Sequence, residues 1–368
     1  MTKQLEGGAV SARDARTGPA RDRATPRRGR RVGTARAQRS AAHPSARRSP
    51  GRSTGAPDGP ARVDDLVVGT VPRTARVTGV LLLLAAVTAL VALFPTYLVV
   101  NGQELSSGGS VGRVLAGLLV PAASAAVGAG LVRGAVPKFG LAYAGVAGAL
   151  SLGQLLIELY RGSSSTSRPG VEVLAGHRVL TSGVEVGAGW VLGVVALGLT
   201  VLAGITAVMA WGRTVMDDGG TLDPVRSGLA GAATLLGVGT VLCLSLPAAD
   251  VPDQLVTDPS TGLQTVVPRQ GPQALLERPG LALLGGLLLA GALVLCSVVA
   301  PSLRPRLAVV GGLLAIAVTV LTAGLSGVRD AASDELVWTV PGLGLLVAGL
   351  AYAVLTVLAW RIRRGVRS

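Results

Sequence analysis

Hydrophobic and polar positions along this chain fall into long blocks, not into the short alternations of a soluble domain. After Arg76 the sequence runs through Val77-Thr-Gly-Val and four leucines to Leu93-Phe94-Pro95, and no charge appears until Glu104. At 1.5 Å per helical residue, about 20 such residues cross a hydrocarbon core about 30 Å thick. The pattern then recurs. It predicts spans at Val77–Val100, Val114–Val132, Phe139–Tyr160, Gly189–Trp211, Gly228–Leu246, Gly280–Ala300, Leu307–Gly327 and Val337–Trp360, none with a charge at its centre. The expected fold class is an all-α polytopic membrane protein, an eight-span transmembrane helix bundle.

Internal similarity divides the spans four and four. Arg76…Leu93-Phe94-Pro95 is matched by Arg226…Ser245-Leu246-Pro247. Val136-Pro137-Lys138-Phe139 is matched by Arg304-Pro305-Arg306-Leu307. Val208-Met-Ala-Trp211-Gly-Arg213 closes the fourth span, and Val357-Leu-Ala-Trp360-Arg361 closes the eighth. Two readings stand: two parallel four-helix repeats about an axis along the membrane normal, or chance alignment of apolar sequence with ordinary Trp and Arg anchors. Small residues spaced four apart, Gly189 with Gly193 and Ala144 with Gly148, suit close helix packing. Pro121 is expected to bend the second span, because it removes a helical N–H.

Charge changes the picture at the ends. The 368-residue chain has a formal net charge of +14, and residues 1–73 carry 16 Lys+Arg against 6 Asp+Glu, so most of the excess lies in this leading segment. With no Phe, Tyr or Trp in it, the segment has little to bury and is expected to be a disordered basic cytoplasmic tail. It is too long and too charged for a signal peptide, and the first span is expected to be retained. The remaining organisation is spans one to four over 74–213, a cytoplasmic connector over 214–227, spans five to eight over 228–360, and a basic tail over 361–368. Segments on the tail's side after residue 73 hold 11 Lys+Arg and 3 Asp+Glu, and the opposite side holds 7 and 11. Both termini are therefore expected in the cytoplasm, with the protein in the plasma membrane of a bacterial cell envelope.

Partners follow from the same charges. Arg27, Arg28, Arg30, Arg31, Arg47 and Arg48 are candidate contacts for anionic lipid head groups, or for an acidic protein. The alternative is a solvated tail that only reinforces orientation. No aromatics interleave for base stacking, which argues against nucleic acid.

Candidate chemistry is sparse. Ser151, Gln154, Glu158 and Arg161 are spaced three, four and three apart and share one face of the third span. This face reads either as a polar vestibule or as an interfacial Glu158 paired with Arg161. Arg113 is a candidate counter-charge for Glu158. Val171–Leu180 and Gln254–Val267 each read as a small hairpin or as plain loop. The only histidines are His43 and His177, and Cys243 and Cys296 lie at different depths, so no metal site, disulfide or cofactor is expected. Asp217-Asp218 with Asp223 has no specific metal-ligand spacing. Phosphate-loop and His-Glu-x-x-His motifs are absent from the sequence.

Function is therefore expected to be non-catalytic: a multi-pass membrane protein acting through partner or lipid binding. The alternative is a transporter or flippase-like permease for a small apolar or lipid-like substrate. The third-span face discriminates between them. Lining a cavity between the halves favours transport, whereas packing against small residues favours partner binding.

Overall fold

The structure, a computed structural model, describes residues 67–362 apart from segments 101–102, 107–110, 164–170, 175–176, 181–183, 218–222, 247–248, 251–253, 258–263, 268–274, 276–279, 332–336 and 339. The tail expected over 1–73 lies outside the described residues as far as residue 66, and so do its six candidate arginines. Among the described residues are eight helices long and apolar enough to cross a membrane. They are α1 (Arg73–Val91), α2 (Val111–Arg133), α3 (Pro137–Arg161), α4 (Ala188–Trp211), α5 (Asp223–Ser245), α6 (Leu281–Val299), α7 (Arg306–Ala331) and α8 (Val340–Arg361). The chain is an all-α, multi-pass membrane protein. Helices meet this setting because each satisfies its own backbone groups where no water is present.

Local sequence sets the turns. The α2–α3 turn carries Gly134 at φ 71°, a left-handed conformation that suits glycine, and Pro137 then opens α3 in the first-turn position that needs no N–H donor. Spans one and eight are shorter than hydropathy alone suggests. Thr96–Val100, expected as the end of the first span, is strand β2, and Val337–Trp338, expected to open the eighth, is strand β11. β-branched residues extend the apolar run in both places without continuing the helix.

We call the membrane side where α1 begins the tail side and the other the loop side. On the tail side, β1 (Val67–Val68) pairs antiparallel with β7 (Met216–Asp217) and ties the start of α1 to the α4–α5 connector. The loop side carries the remaining strands. β2 pairs with β3 (Gln103–Ser106) and with β6 (Val184–Val186), making a three-stranded sheet over buried Leu98 and Leu105. Both expected hairpins are present: β4 (Val171–Leu174) with β5 (His177–Leu180), and β9 (Gln254–Thr257) with β10 (Gln264–Val267). β8 (Ala249–Asp250) pairs with β11.

The packing plan of the first four helices recurs in the second four. α1 packs on α2 and α4, and α3 on α4; α5 packs on α6 and α8, and α7 on α8. The loop-side strands obey the same plan, since β2 after α1 pairs with β6 before α4, and β8 after α5 pairs with β11 before α8. The two halves join along α3 against α6 and α7, with α2 against α7. α3 and α7 are accordingly the most enclosed helices, 61% and 72% buried over their apolar spans against 22–39% for the others.

Glycines make the close seams. A Cβ on Gly148 would lie 2.7 Å from Gly204 Cα where α3 crosses α4, and one on Gly153 would lie 2.6 Å from the Leu289 nitrogen where α3 crosses α6. In lipid, where hydrophobic transfer no longer drives helices together, such close approach supplies the packing attraction.

Candidate functional site

Between the halves, on the loop side of the bundle centre, lies a cavity of about 640 Å³, within the size range of sites for small ligands. Every helix except α6 contributes to its lining. α1 supplies Ala85, Ala86, Ala89 and Ala92; α2 supplies Gly117, Val120, Pro121 and Ser124. These small side chains keep the walls apart. Pro121 sits buried within α2 and, having no N–H, leaves the Gly117 carbonyl without its helical donor. α7 lines the far wall with Val318, Thr319, Thr322, Ala323 and Ser326.

α3 brings Ser151, Gln154, Glu158 and Arg161 to this one cavity. The three-four-three spacing thus names the wall that α3 presents. Ser151 is 7% exposed. Its hydroxyl and the Gln154 amide have no hydrogen-bond partner among the described residues. Other hydroxyls in the lining bond the carbonyl one turn before them: Thr200 to Ala196, Thr319 to Ala315, Thr322 to Val318, and Ser326 to Thr322.

At the loop-side end of α3, Glu158 and Arg161 form an ion pair of 2.6 Å, with side chains 21% and 27% exposed. The Tyr97 hydroxyl donates to the other Glu158 carboxylate oxygen. Burial first, and then the adjacent Glu158 charge, push the Tyr97 phenol far above its ordinary value, so it stays a donor at neutral pH. Trp190 at the start of α4 donates from Nε1 to the Glu158 backbone carbonyl at 2.9 Å and lies over Gly162, where a side chain would collide with the indole ring. The vestibule and the ion-pair readings of this face therefore coexist: Glu158 is paired and lines the cavity.

The partners Tyr97 and Trp190 are not among the residues that spacing picks out. Asn101-Gly102, a hairpin dipeptide after a β-branched run, is the signal for β2 and hence for Tyr97. Arg113 lies in the first turn of α2, and the pairing observed for Glu158 is with Arg161 and Tyr97. His177 lies in β5, Asp217 in β7, and Asp223 at the start of α5, while Asp218 lies outside the described residues. Among the described residues no three His, Cys, Asp or Glu side chains gather to hold a metal. Cys243 and Cys296 are free thiols on α5 and α6, and Cys243 lines the cavity.

The tail-side floor holds a second polar contact: Ser124 of α2 and Tyr143 of α3 approach at 3.2 Å. Below it the bundle closes. Leu131 fills the space over Gly140, and the Phe139 carbonyl lies against Gly311. The cavity is thus a blind chamber with a paired charge near its loop-side end, unpaired donors and acceptors beneath, and small apolar walls. No protein-family model, curated protein or solved structure matches the chain.

Proposed function

We propose that the protein is a permease for a small amphiphilic or lipid-like molecule, which it holds in the loop-side cavity between its two four-helix halves. The single observation that carries this reading is the placement of Ser151, Gln154, Glu158 and Arg161 against a chamber that both halves line. Ligand sites at the interface of parallel repeats, closed on one side and open to the other, suit alternating access by rocking of the halves. The walls suit an apolar portion and the α3 face suits a head. Reaction chemistry has no support, since among the described residues no nucleophile–base pair or metal cluster lines the chamber.

The test is translocation of short-chain fluorescent lipids, an uncharged glycosyl lipid beside phospholipids, in vesicles, read by quenching from one side. Reconstituted protein should accelerate exchange over protein-free vesicles, and Glu158→Gln should change the rate. Equal rates with and without protein, for a panel of head groups, would remove the permease reading. In that case the site is one of lipid or partner retention.

The location belongs to the same proposal. We place the protein in the plasma membrane with both termini cytoplasmic, on the charge asymmetry of its connecting segments. The arginine-rich tail then faces the anionic leaflet, where each basic side chain near the surface contributes about 1 kcal/mol. Reporter fusions at residue 1 and after residue 368 should both score cytoplasmic.

A further inference from the structure

The two halves line the chamber with different chemistry. The first supplies the α3 face described above. The second supplies the α7 hydroxyls Thr319, Thr322 and Ser326, each bonded to its own helix, and an apolar group: Leu244 of α5, Leu246 just beyond it, Leu275, Val318 of α7 and Leu345 of α8, with the Cys243 thiol among them. Gly344 of α8 has no side chain there, and a Cβ on it would lie 2.6 Å from the Cys243 sulfur.

On the α3 face the hydrogen-bonding capacity is divided unevenly. Glu158 and Arg161 are engaged with each other, and Glu158 also with Tyr97. Arg161 reaches Glu158 through one guanidinium nitrogen, and a cationic head would have to displace it. Below that pair the polar side chains that α3 brings to the chamber, Gln154 and Ser151, are neutral. Counted along α3, Gln154 lies about 10 Å and Ser151 about 15 Å below Arg161. At that depth in a membrane a charged head is costly. Each of these two side chains both donates and accepts. Ser151 in particular is more than nine-tenths buried, and its hydroxyl makes no hydrogen bond among the described residues while keeping access to the chamber it lines.

We propose that the ligand is an amphiphile with an uncharged, hydrogen-bonding head, hydroxyl- or amide-bearing. Ser151 and Gln154 hold the head, and the hydrocarbon chain crosses to the second half past Cys243. This assignment rests on the cavity being the substrate site. The permease reading names the cavity; this names the head group and the direction in which the ligand lies.

The experiment uses Cys243 as a reporter of that apolar group. The full-length Cys296→Ser protein is reconstituted in phosphatidylcholine nanodiscs, and the rate of Cys243 modification by dithiodipyridine is followed. Three single-chain probes of equal length are added in turn: dodecylglycerol, dodecyl phosphate and dodecyltrimethylammonium. At roughly ten times its dissociation constant, dodecylglycerol should slow modification about tenfold by mass action, and the charged probes should protect far less. Ser151→Ala with Gln154→Leu should abolish the protection while leaving the unprotected rate as it was. Gln154→Glu is the second variant, should the double substitution fail to fold, and it should move the preference toward the ammonium probe. Equal or better protection by a charged probe would overturn the neutral-head assignment and leave the cavity reading standing. Full dodecylglycerol protection in the double variant would overturn the roles of Ser151 and Gln154. A Cys243 rate indifferent to all three probes would overturn the cavity reading together with the inference built on it.

Discussion

In the first half of the bundle α1 holds α2 and α4, and in the second α5 holds α6 and α8, yet all four helices of the first half line the chamber between the halves, whereas the second is plugged at its own centre. The second half has Tyr352, fully buried, at its centre. Its hydroxyl meets Ser297 Oγ at 2.7 Å and donates to the Ala233 carbonyl at 2.9 Å, so one phenol joins α8, α6 and α5. The first half places small residues, Ala85, Ala89, Ala147 and Gly193, where they leave space open. Its corresponding tyrosine contact, Tyr143 to Ser124, is longer and lies at the chamber floor. In a bundle built on close backbone approach, the crossings are set by small residues, and one large side chain decides whether the space between crossings is filled or left open.

The largest effect is expected at the seam both halves share. Gly153→Leu would drive a side chain into backbone of α6 that has no freedom to move aside. The expected cost is about 3 kcal/mol, at the upper end of overpacking. Thermal unfolding in mild detergent should fall sharply, while Gly193→Ala, with open space at its Cβ position, should be unchanged. A Gly153→Leu protein as stable as the parent would refute the α3–α6 contact.

Next in size are the two tyrosine hydroxyls. Tyr352→Phe removes two hydrogen bonds from the plugged half and should cost about 1.5 kcal/mol. Tyr143→Phe removes one long contact and should cost less than half as much, about 0.5 kcal/mol. Equal losses in a denaturation series would mean that the halves are held alike, contrary to the comparison drawn here.

Smaller still is the effect expected at the charged end. Glu158→Gln keeps an acceptor for Tyr97 and loses only a partly exposed ion pair, so stability should change by less than about 1 kcal/mol. A large loss would mean that Glu158 is a structural keystone and not a lining residue.

The smallest effect is in pH. The Tyr97 phenol titrates higher in the folded protein than in the unfolded chain, so folding favours its protonated form. The linked stability is fully present below the unfolded value of about 10 and drains away as pH rises toward the folded value. Tyr97→Phe should therefore flatten the stability decline above pH about 10 while leaving the neutral-pH profile in place. A parallel decline in both proteins would show that folding, through burial and the Glu158 charge, does not raise the titration of the phenol.

Much of this site is legible in the sequence. Ser151, Gln154, Glu158 and Arg161 announce a shared face by spacing alone, because helical geometry is fixed and local. Tyr97 and Trp190 do not announce themselves as partners of Glu158. They lie 61 and 32 residues away in the chain, and their approach depends on a strand that hydropathy counts as the end of a span. The pairing of β2 with β6 is hidden for the same reason, since it joins segments from different loops.

The eight crossings and the chemistry of the third-span face come from the sequence by itself, whereas the grouping in fours is one of two readings there until the helix packing repeats it. Transfer of a segment into hydrocarbon is a sum over its own residues, and a repeat is a relation between segments that can be read without folding them. The chamber is a decision of the tertiary structure. Helix rotation and the few glycines where backbones touch set which faces meet. The same alanines and glycines that close Gly148 on Gly204 leave Ala85, Ala147 and Gly193 around empty space. Composition cannot separate those two outcomes, because a small residue permits close approach and leaves the partner helix to determine whether it occurs.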